Sequence, residues 1–135
     1  MKVAFATQDL TRIDAHFGWA RHLMFFDVSP EGYRYLTQRD FGALQQDGDD
    51  QKLPAKVRAL KGCDMVFVSA VGAVAHARLV RQGVHAVEMF AGRPIDEALE
   101  KLQWVLRSRP QPWLRRRMQA ERRPSRGRDK PAGQW

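Results

Sequence analysis

The sequence predicts an α/β domain in which helices flank a mixed five-stranded sheet. The predicted elements follow the order β-β-β-α-β-α-β-α along the chain, a pattern typical of layered α/β domains. The first strand is apolar on both of its faces, as a central strand covered on both sides should be. Right-handed crossovers favour a fourth strand that lies parallel to the first, with the fifth strand beyond it.

The N-terminal part is predicted to form an antiparallel meander. Pro and Gly in the segment SPEG at 29–32 favour a tight reversal between the second and third strands. Charged residues on one parity of the third strand indicate an outer position in the sheet. A polar loop rich in Gly and Asp follows at 42–51. The three predicted strands cover 2–8, 22–28 and 33–41.

The C-terminal part is predicted to alternate helices with buried strands. Gly62 and Gly83 suit the ends of the first two helices, and Pro54 and Pro94 suit the first turns of the first and last helices. Apolar residues at helical spacing form buried stripes: Leu53, Val57 and Leu60, and then Ile95, Leu99, Leu102 and Leu106. The predicted helices begin near Leu53, at 71 and at 93, ending at Gly62, 83 and 106, and the predicted strands cover 64–70 and 84–89.

Composition limits the classes of protein to consider. The single cysteine, Cys63, excludes an internal disulfide framework and indicates a reducing compartment. No apolar run reaches the roughly 18 residues of a membrane span, and the N-terminal segment does not have the pattern of a secretory signal. We therefore expect a cytoplasmic protein with no membrane association.

The net charge of +8 belongs to the C-terminal tail. Residues 1–106 carry 13 basic and 13 acidic residues, whereas residues 107–135 carry 10 basic and 2 acidic residues. The balanced charge of the body weakens the case for a nucleic-acid reader. We expect a ligand-binding α/β domain at 1–106 and a disordered, basic, Pro- and Arg-rich tail at 107–135, in which 107–118 could dock through Trp113 and Leu114.

The predicted topology places the candidate site at the carboxyl edge of the parallel strands. The loop after the first strand, the start of the second strand and the turn after the fourth strand should meet there, as ligand sites in open α/β sheets do. Cys63 and His85 precede their strands and belong to the opposite edge, roughly 20 Å away. The residues expected around the crevice are His16, Arg21, His22, Ser69, Gly72 and His76.

The residue types at that edge suit an anionic ligand that contains a metal. Imidazole binds borderline metals such as iron, nickel and zinc, and Gly18 lets the backbone beside His16 approach a bulky ligand closely. The backbone N–H groups of the turn SAVG at 69–72 suit an anion at a helix start, and Arg21 adds positive charge. The ordinary alternatives are a surface or hydrogen-bonding role for His16, His22 and His76, a lid over the core for Phe17 and Trp19, and a small buried side chain for Cys63.

Three blocks of the sequence carry a resemblance to a known family. The first is MKVAFATQD…RIDAHFGWARHLMFFDV, with the motif Asp-x-His-Phe-Gly at 14–18. The second is GCDMVFVSAVGAVAHARLVRQGVHAVEM, and the third is LQWVLRSRPQPWLRRRM. Together they cover about residues 1–118 and resemble the dinitrogenase iron–molybdenum cofactor biosynthesis proteins, the NifX/NifY/NafY group. The third block is similar particularly to NifX-type members.

The resemblance implies a ribonuclease-H-like fold and a non-catalytic role. That role is to bind the iron–molybdenum cofactor or its iron–sulfur precursor and to carry it between nitrogenase cofactor-assembly proteins. His16 is then the candidate metal ligand, with His22 and His76 as weaker candidates. A single loop ligand suits a carrier that must release its cluster, and the absence of Cys-rich spacing argues against a permanent iron–sulfur centre. The residues expected to contact the cluster are His16, Phe17, Gly18, Arg21, Ser69 and Gly72.

Two other functions compete with the carrier. A ribonuclease-H-like metal-dependent hydrolase needs several converging carboxylates, but the first strand offers only Asp9 beyond its end and the fourth offers none after Asp64. The basic tail, with Trp113 and Trp135, could bind nucleic acid without sequence specificity. The sequence leaves open whether the cargo is the mature cofactor, a precursor or a vanadium counterpart.

Overall fold

The computed structural model describes residues 1–41 and 53–108 of the chain. The predicted loop at 42–51 and the predicted tail beyond Ser108 lie outside these residues. The order of elements is the predicted one. In the described ranges the strands are β1 (Lys2–Thr7), β2 (His22–Ser29), β3 (Gly32–Asp40), β4 (Met65–Phe67) and β5 (His85–Val87), and the helices are α1 (Leu53–Ala59), α2 (Ala73–Arg81) and α3 (Ile95–Arg107).

The five strands form one mixed sheet in the order β3-β2-β1-β4-β5. The meander pairs antiparallel, with Thr7 of β1 opposite His22 of β2. Beyond it, β4 lies parallel to β1, with Phe67 opposite Phe5, and β5 lies parallel to β4. The predicted parallel pairing of the first and fourth strands, with the fifth strand outside them, is confirmed. The outer position predicted for the third strand is confirmed as well.

Helices cover both faces of the sheet, which explains the two apolar faces of β1. Ala4 and Ala6 of β1 share a buried cluster with residues of α1 and α2, such as Val57 and Leu79. The residues of β1 with the other parity, including Phe5, share a second cluster with α3. The apolar residues on both faces of β1 are therefore buried, as expected for a central strand.

The ends of several elements differ from the predicted ones. Gly83 has a positive φ angle of 78° and directly follows the C-cap of α2, so it acts as the predicted helix stop. The first helix ends at Ala59 and not at Gly62, which has a φ angle of 95° in the turn that follows. The second helix begins at Ala73 rather than at residue 71, with Gly72 as its N-cap. The last helix begins at Ile95 and extends to Arg107, one residue past the predicted end.

The strands β4 and β5 are three residues long, shorter than the predicted runs at 64–70 and 84–89. Pairing between β4 and β1 stops at Phe67, because the residues that follow form hydrogen bonds with other segments. The N–H of Ser69 instead donates to the carbonyl of Ala15 in the loop that follows β1. Within 1–41 and 53–108, no helix is long and apolar enough to cross a membrane.

Candidate functional site

The loop between β1 and β2 returns across the carboxyl edge of the parallel strands. Its segment around His16 forms an isolated parallel bridge with Ala70, which follows β4. The N–H of Phe17 donates to the carbonyl of Ala70 at 2.9 Å, and the N–H of Ser69 donates to the carbonyl of Ala15 at 2.9 Å. His16 is therefore held in register beside the turn that precedes α2, as the predicted topology required.

A second set of backbone hydrogen bonds joins the earlier part of the same loop to the segment before α3. The N–H of Ile13 donates to the carbonyl of Arg93 at 2.9 Å, and the carbonyl of Ile13 accepts from the N–H of Gly92 at 2.7 Å. The N–H of Ile95 donates to the carbonyl of Thr11 at 2.9 Å. The loop is thus held by backbone hydrogen bonds to the segments that follow β4 and β5.

The acidic residues of the loop are engaged in its own structure. Asp14 accepts at Oδ1 from the N–H of Gln8 at 2.7 Å and from the Thr7 hydroxyl at 3.3 Å. Asp9 accepts from the N–H groups of Arg12 at 2.8 Å and Thr11 at 2.9 Å. These backbone donors, that of Arg12 first, hold the pKa of the Asp9 carboxyl well below its usual value.

His16 caps a short 3₁₀ turn at Phe17–Trp19. Its Nδ1 accepts a hydrogen bond from the N–H of Gly18 at 3.2 Å, so the neutral imidazole carries its proton on Nε2. The Trp19 side chain, 42% exposed, places its ring centroid 6.1 Å from that of His16. The imidazole therefore presents its Nε2–H, rather than a lone pair, in this arrangement.

The Phe17 ring has no exposed surface and lies in the core cluster beneath α1 and α2. Burial of such a ring contributes about 1.5–3 kcal/mol to stability. The sequence predicted Phe17 both as a core lid and as a residue that contacts the cluster. In this structure the side chain anchors the loop, and any influence on a ligand is exerted through the position of His16.

Lys56 is a buried cation beneath the loop that the sequence analysis did not single out. It has no exposed surface, and its Nζ donates to the carbonyl of Gly18 at 2.7 Å and to that of Phe17 at 3.4 Å. The ammonium also lies 5.5 Å from the centre of the Phe41 ring. The sequence could have predicted the burial of Lys56 from its helical spacing, because Lys56 lies three residues after Leu53 on the predicted apolar stripe.

The turn at 69–72 offers fewer free N–H groups than predicted. The N–H of Ser69 is taken by the carbonyl of Ala15, and the N–H of Val71 donates to the carboxylate of Glu88 at 3.2 Å. The chain therefore supplies acceptors for two of the N–H groups in the turn that was expected to suit an anion, and ligand binding by Ser69 and Gly72 stays a prediction. Gly72 remains at the N-cap of α2 without a side-chain cap, and open space surrounds the position of a Cβ there.

The other predicted histidines occupy distinct environments. His22 starts β2 at the same edge, and its Nδ1 donates to Asp40 at 2.6 Å, which leaves Nε2 as a lone pair in the neutral ring. Hydrogen bonds from Gln38 and His22 lower the pKa of Asp40. His76 is exposed on α2, and Arg21 is exposed at the end of the loop.

The opposite edge of the sheet holds the two residues that were excluded from the site. Cys63 precedes β4 and is fully buried, and burial raises the pKa of its thiol to about 12. His85 begins β5 at that edge as an exposed residue, and partial desolvation of its ring lowers the pKa of His85. The separation of Cys63 and His85 from the His16 loop is confirmed.

The carboxylates do not converge on a common point. Asp9 and Asp14 bond within the loop, whereas Asp64 precedes β4 and accepts from the N–H of Lys2 at 3.1 Å, at the opposite edge. Among residues 1–41 and 53–108, no group of three or more His, Cys, Asp or Glu side chains could hold a metal ion.

Comparison with known proteins gives a consistent family match. The family model described as "Dinitrogenase iron-molybdenum cofactor" matches residues 1–104. The chain is 47% identical over 120 residues to the protein NifX of Herbaspirillum seropedicae, covering 88% of this chain and 82% of that protein. It is 40% identical over 124 residues to NifX of Azotobacter vinelandii, covering 92% of this chain and 78% of that protein.

A solved structure, the crystal structure of PH0822, has the same fold. It superposes with a TM-score of 0.59 at 21% sequence identity, covering 77% of this chain and 89% of that one. At this level of identity the likeness concerns the arrangement of strands and helices alone. It supports the α/β architecture described above.

Proposed function

The chain belongs to the dinitrogenase iron–molybdenum cofactor family, and on that premise we propose that it is a non-catalytic metallocluster carrier. Its cargo is the iron–molybdenum cofactor or the iron–sulfur precursor of that cofactor. It receives this cluster from one cofactor-assembly protein and passes it to another in the cytoplasm. The strand order β3-β2-β1-β4-β5 supports a ribonuclease-H-like classification of the domain.

The observation that carries the proposal is the fixed position of His16. The Asp-x-His-Phe-Gly motif places one imidazole beside Ala70, at the edge where β1 and β4 end. Ligands of open α/β sheets bind at this edge. The chain therefore presents the His16 imidazole on a loop held by backbone hydrogen bonds, with Arg21 exposed at the loop's end to favour an anionic cluster.

The protonation of His16 distinguishes two ways of holding the cluster. Coordination of a metal through Nε2 requires the proton to move to Nδ1, which ends the hydrogen bond from Gly18. A hydrogen bond from Nε2–H to a cluster sulfide leaves the turn intact. Either contact is one bond from the protein, and this suits a carrier that must release its cargo.

The arrangement of the acidic residues supports a non-catalytic role. Hydrolysis assisted by two metals needs carboxylates that face both ions. Asp9 and Asp14 instead accept hydrogen bonds within their own loop, and Asp64 lies at the opposite edge. The carboxylates that a hydrolase would need therefore form hydrogen bonds that stabilise the fold.

The relatives support partners in cofactor assembly. The chain is 28% identical over 98 residues to the FeMo cofactor biosynthesis protein NifB of Bradyrhizobium diazoefficiens, covering 71% of this chain and 20% of that protein. It is 32% identical over 121 residues to NifY of Azotobacter vinelandii, of which it spans about half, 49%. We propose that donors and acceptors of the cluster are proteins of this assembly group.

An anaerobic titration tests the proposal. The purified protein is titrated with isolated iron–molybdenum cofactor and, separately, with the precursor cluster, and binding is followed by gel filtration and metal analysis. His16→Ala is compared with the wild type, and His85→Ala at the opposite edge is the matched control. We expect the wild type and the control to bind, and His16→Ala to lose at least about tenfold in affinity.

Other outcomes would redirect or end the proposal. Binding that survives in His16→Ala would move the contact to His22, whose Nε2 lone pair is already available, or to His76. Failure of the wild type to bind either cluster would refute the carrier function. Deletion of 119–135 separates this function from tail-driven nucleic-acid binding, since cluster binding should survive the deletion and nucleic-acid binding should not.

A further inference from the structure

The buried ammonium of Lys56 contacts two successive peptide groups of the His16 turn. Its Nζ donates to the carbonyl oxygen of Gly18 at 2.7 Å and approaches the carbonyl oxygen of Phe17 at 3.4 Å. These oxygens belong to the Gly18–Trp19 and Phe17–Gly18 peptide groups. One side chain from α1 thus contacts the carbonyl oxygens of both of these peptide groups.

The nitrogen ends of the same two peptides both hold His16. The N–H of Gly18 donates to Nδ1 of His16 at 3.2 Å, and the N–H of Trp19 donates to the carbonyl of His16 at 2.9 Å. Each peptide group therefore lies between the Lys56 ammonium and the histidine. One peptide connects Lys56 to the imidazole, and the other connects it to the histidine backbone.

This arrangement has a direct electrostatic consequence. A cation at a carbonyl oxygen polarises the amide and makes its N–H a stronger donor, and such chains of hydrogen bonds strengthen one another at low dielectric. Because Lys56 has no exposed surface, water screens this effect little. A buried ammonium is also costly without its acceptors, so Lys56 and the turn hold each other in place.

We propose that Lys56 is the positioning residue for His16, acting through the Phe17–Gly18 and Gly18–Trp19 peptide groups to keep the imidazole oriented with its proton on Nε2. This inference rests on the proposed function, because it gives Lys56 the task of preparing the histidine that contacts the cluster. Lys56 itself does not touch the cargo. The Nε2–H that Lys56 maintains is the donor for a hydrogen bond to a cluster sulfide, so loss of this form weakens binding of the cargo.

Nitrogen-15 NMR of the imidazole rings tests the inference on the wild-type protein without any cluster. The chain has 4 histidines, so the ring signals can be assigned by substitution of the other three. We expect the neutral His16 ring to carry its proton on Nε2. A neutral ring protonated on Nδ1 would overturn the inference, because that nitrogen could not accept from Gly18.

A pair of variants tests the role of the charge. Lys56→Met keeps the length of the side chain and removes the ammonium, and Lys61→Met makes the same change at an exposed position after α1. In folded Lys56→Met we expect a mixture of the two neutral forms of His16 and a loss of about tenfold in affinity for the cluster. In Lys61→Met we expect neither change.

The readouts separate this inference from the carrier function. A folded Lys56→Met whose His16 ring and cluster affinity match the wild type would refute the positioning role while the carrier function stands. A wild type that binds no cluster would refute the function, and with it the task assigned to Lys56. If Lys56→Met does not fold, Lys56→Gln takes its place, and a folded Lys56→Gln whose His16 ring and cluster affinity match the wild type would refute the positioning role.

Discussion

The Asp14 carboxylate accepts a hydrogen bond from the backbone N–H of Gln8 at 2.7 Å, which ties the histidine loop to the end of β1. The bond spans six residues and closes the first half of the loop. His16 follows two residues later, at its bridge with Ala70. The aspartate of the Asp-x-His-Phe-Gly motif thus helps to place the histidine through hydrogen bonds within the loop.

Removal of this carboxylate should loosen the site. We expect Asp14→Ala to lower the free energy of unfolding by about 1–2 kcal/mol, because the N–H of Gln8 loses its acceptor. Asp14→Asn keeps an acceptor oxygen and should cost less. Urea unfolding measures both stabilities, and cluster titration should show the same order of loss. Equal stability of Asp14→Ala and the wild type would contradict the anchoring role.

Gly18 keeps space open beside the imidazole. A Cβ at Gly18 would lie 3.7 Å from Nδ1 and 3.8 Å from Cε1 of His16, which is ordinary contact within the protein. We expect Gly18→Ala to fold with nearly unchanged stability. A cluster at the ring would be crowded by the methyl group, at a cost of about 1–3 kcal/mol, or roughly 5- to 150-fold in affinity.

The matched control for this prediction is Gly32→Ala. Gly32 lies at the opposite edge, where a methyl group on its Cα would meet nothing within 4 Å, so the change should affect neither stability nor binding. Titration of both variants with the cluster provides the comparison. Wild-type affinity in Gly18→Ala would show that the cargo does not approach this side of the ring.

Asp9 should make the stability of the loop depend on pH. Its folded-state pKa lies below the usual 3.8 because the N–H groups of Arg12 and Thr11 favour the charged form. A lowered pKa stabilises the fold above the unfolded-state pKa, and that stability is lost as the pH falls through the folded-state value. We expect Asp9→Asn to unfold at lower urea than the wild type at neutral pH, with the difference vanishing in strong acid. A constant difference would contradict this assignment.

Cys63 should be chemically inert in the folded protein. Burial raises its pKa from 9.0 to about 12, which lowers the thiolate fraction roughly 1,000-fold at neutral pH. We expect iodoacetamide to label the thiol only after unfolding in guanidinium chloride, as mass spectrometry would show. Cys63→Ala should retain cluster binding, and rapid labelling of the native protein would refute the assignment.

Much of the fold could be predicted because its signals are local or topological. The apolar residues on both faces of β1 indicated a central strand, and Gly83 marked the end of α2 with a positive φ angle, whereas α1 ends at Ala59, before Gly62. The lengths of β4 and β5 could not be predicted from their apolar runs. The residues just after β4 bond to the His16 loop, and that pairing depends on contacts distant in sequence.

The surroundings of the candidate site could be predicted only in part, because they too depend on contacts between residues distant in sequence. Strand order placed His16 near the turn at 69–72, and backbone hydrogen bonds bring them together. The hydrogen bond from the N–H of Val71 to the carboxylate of Glu88 was not predicted, because Glu88 lies in the segment after β5, distant from Val71 in sequence. Lys56 fitted the buried helical stripe by spacing, yet a lysine at such a position ordinarily extends to water.

The sequence by itself determined the family, the order of the strands and the loop that carries the motif histidine. These follow from residue patterns that are read along the chain. Only the tertiary structure decided which nitrogen of His16 is engaged, which N–H groups of the turn remain available, and that a buried ammonium lies beneath the loop. Each of these depends on hydrogen-bond partners from separate elements, and burial makes the pairing of such groups obligatory.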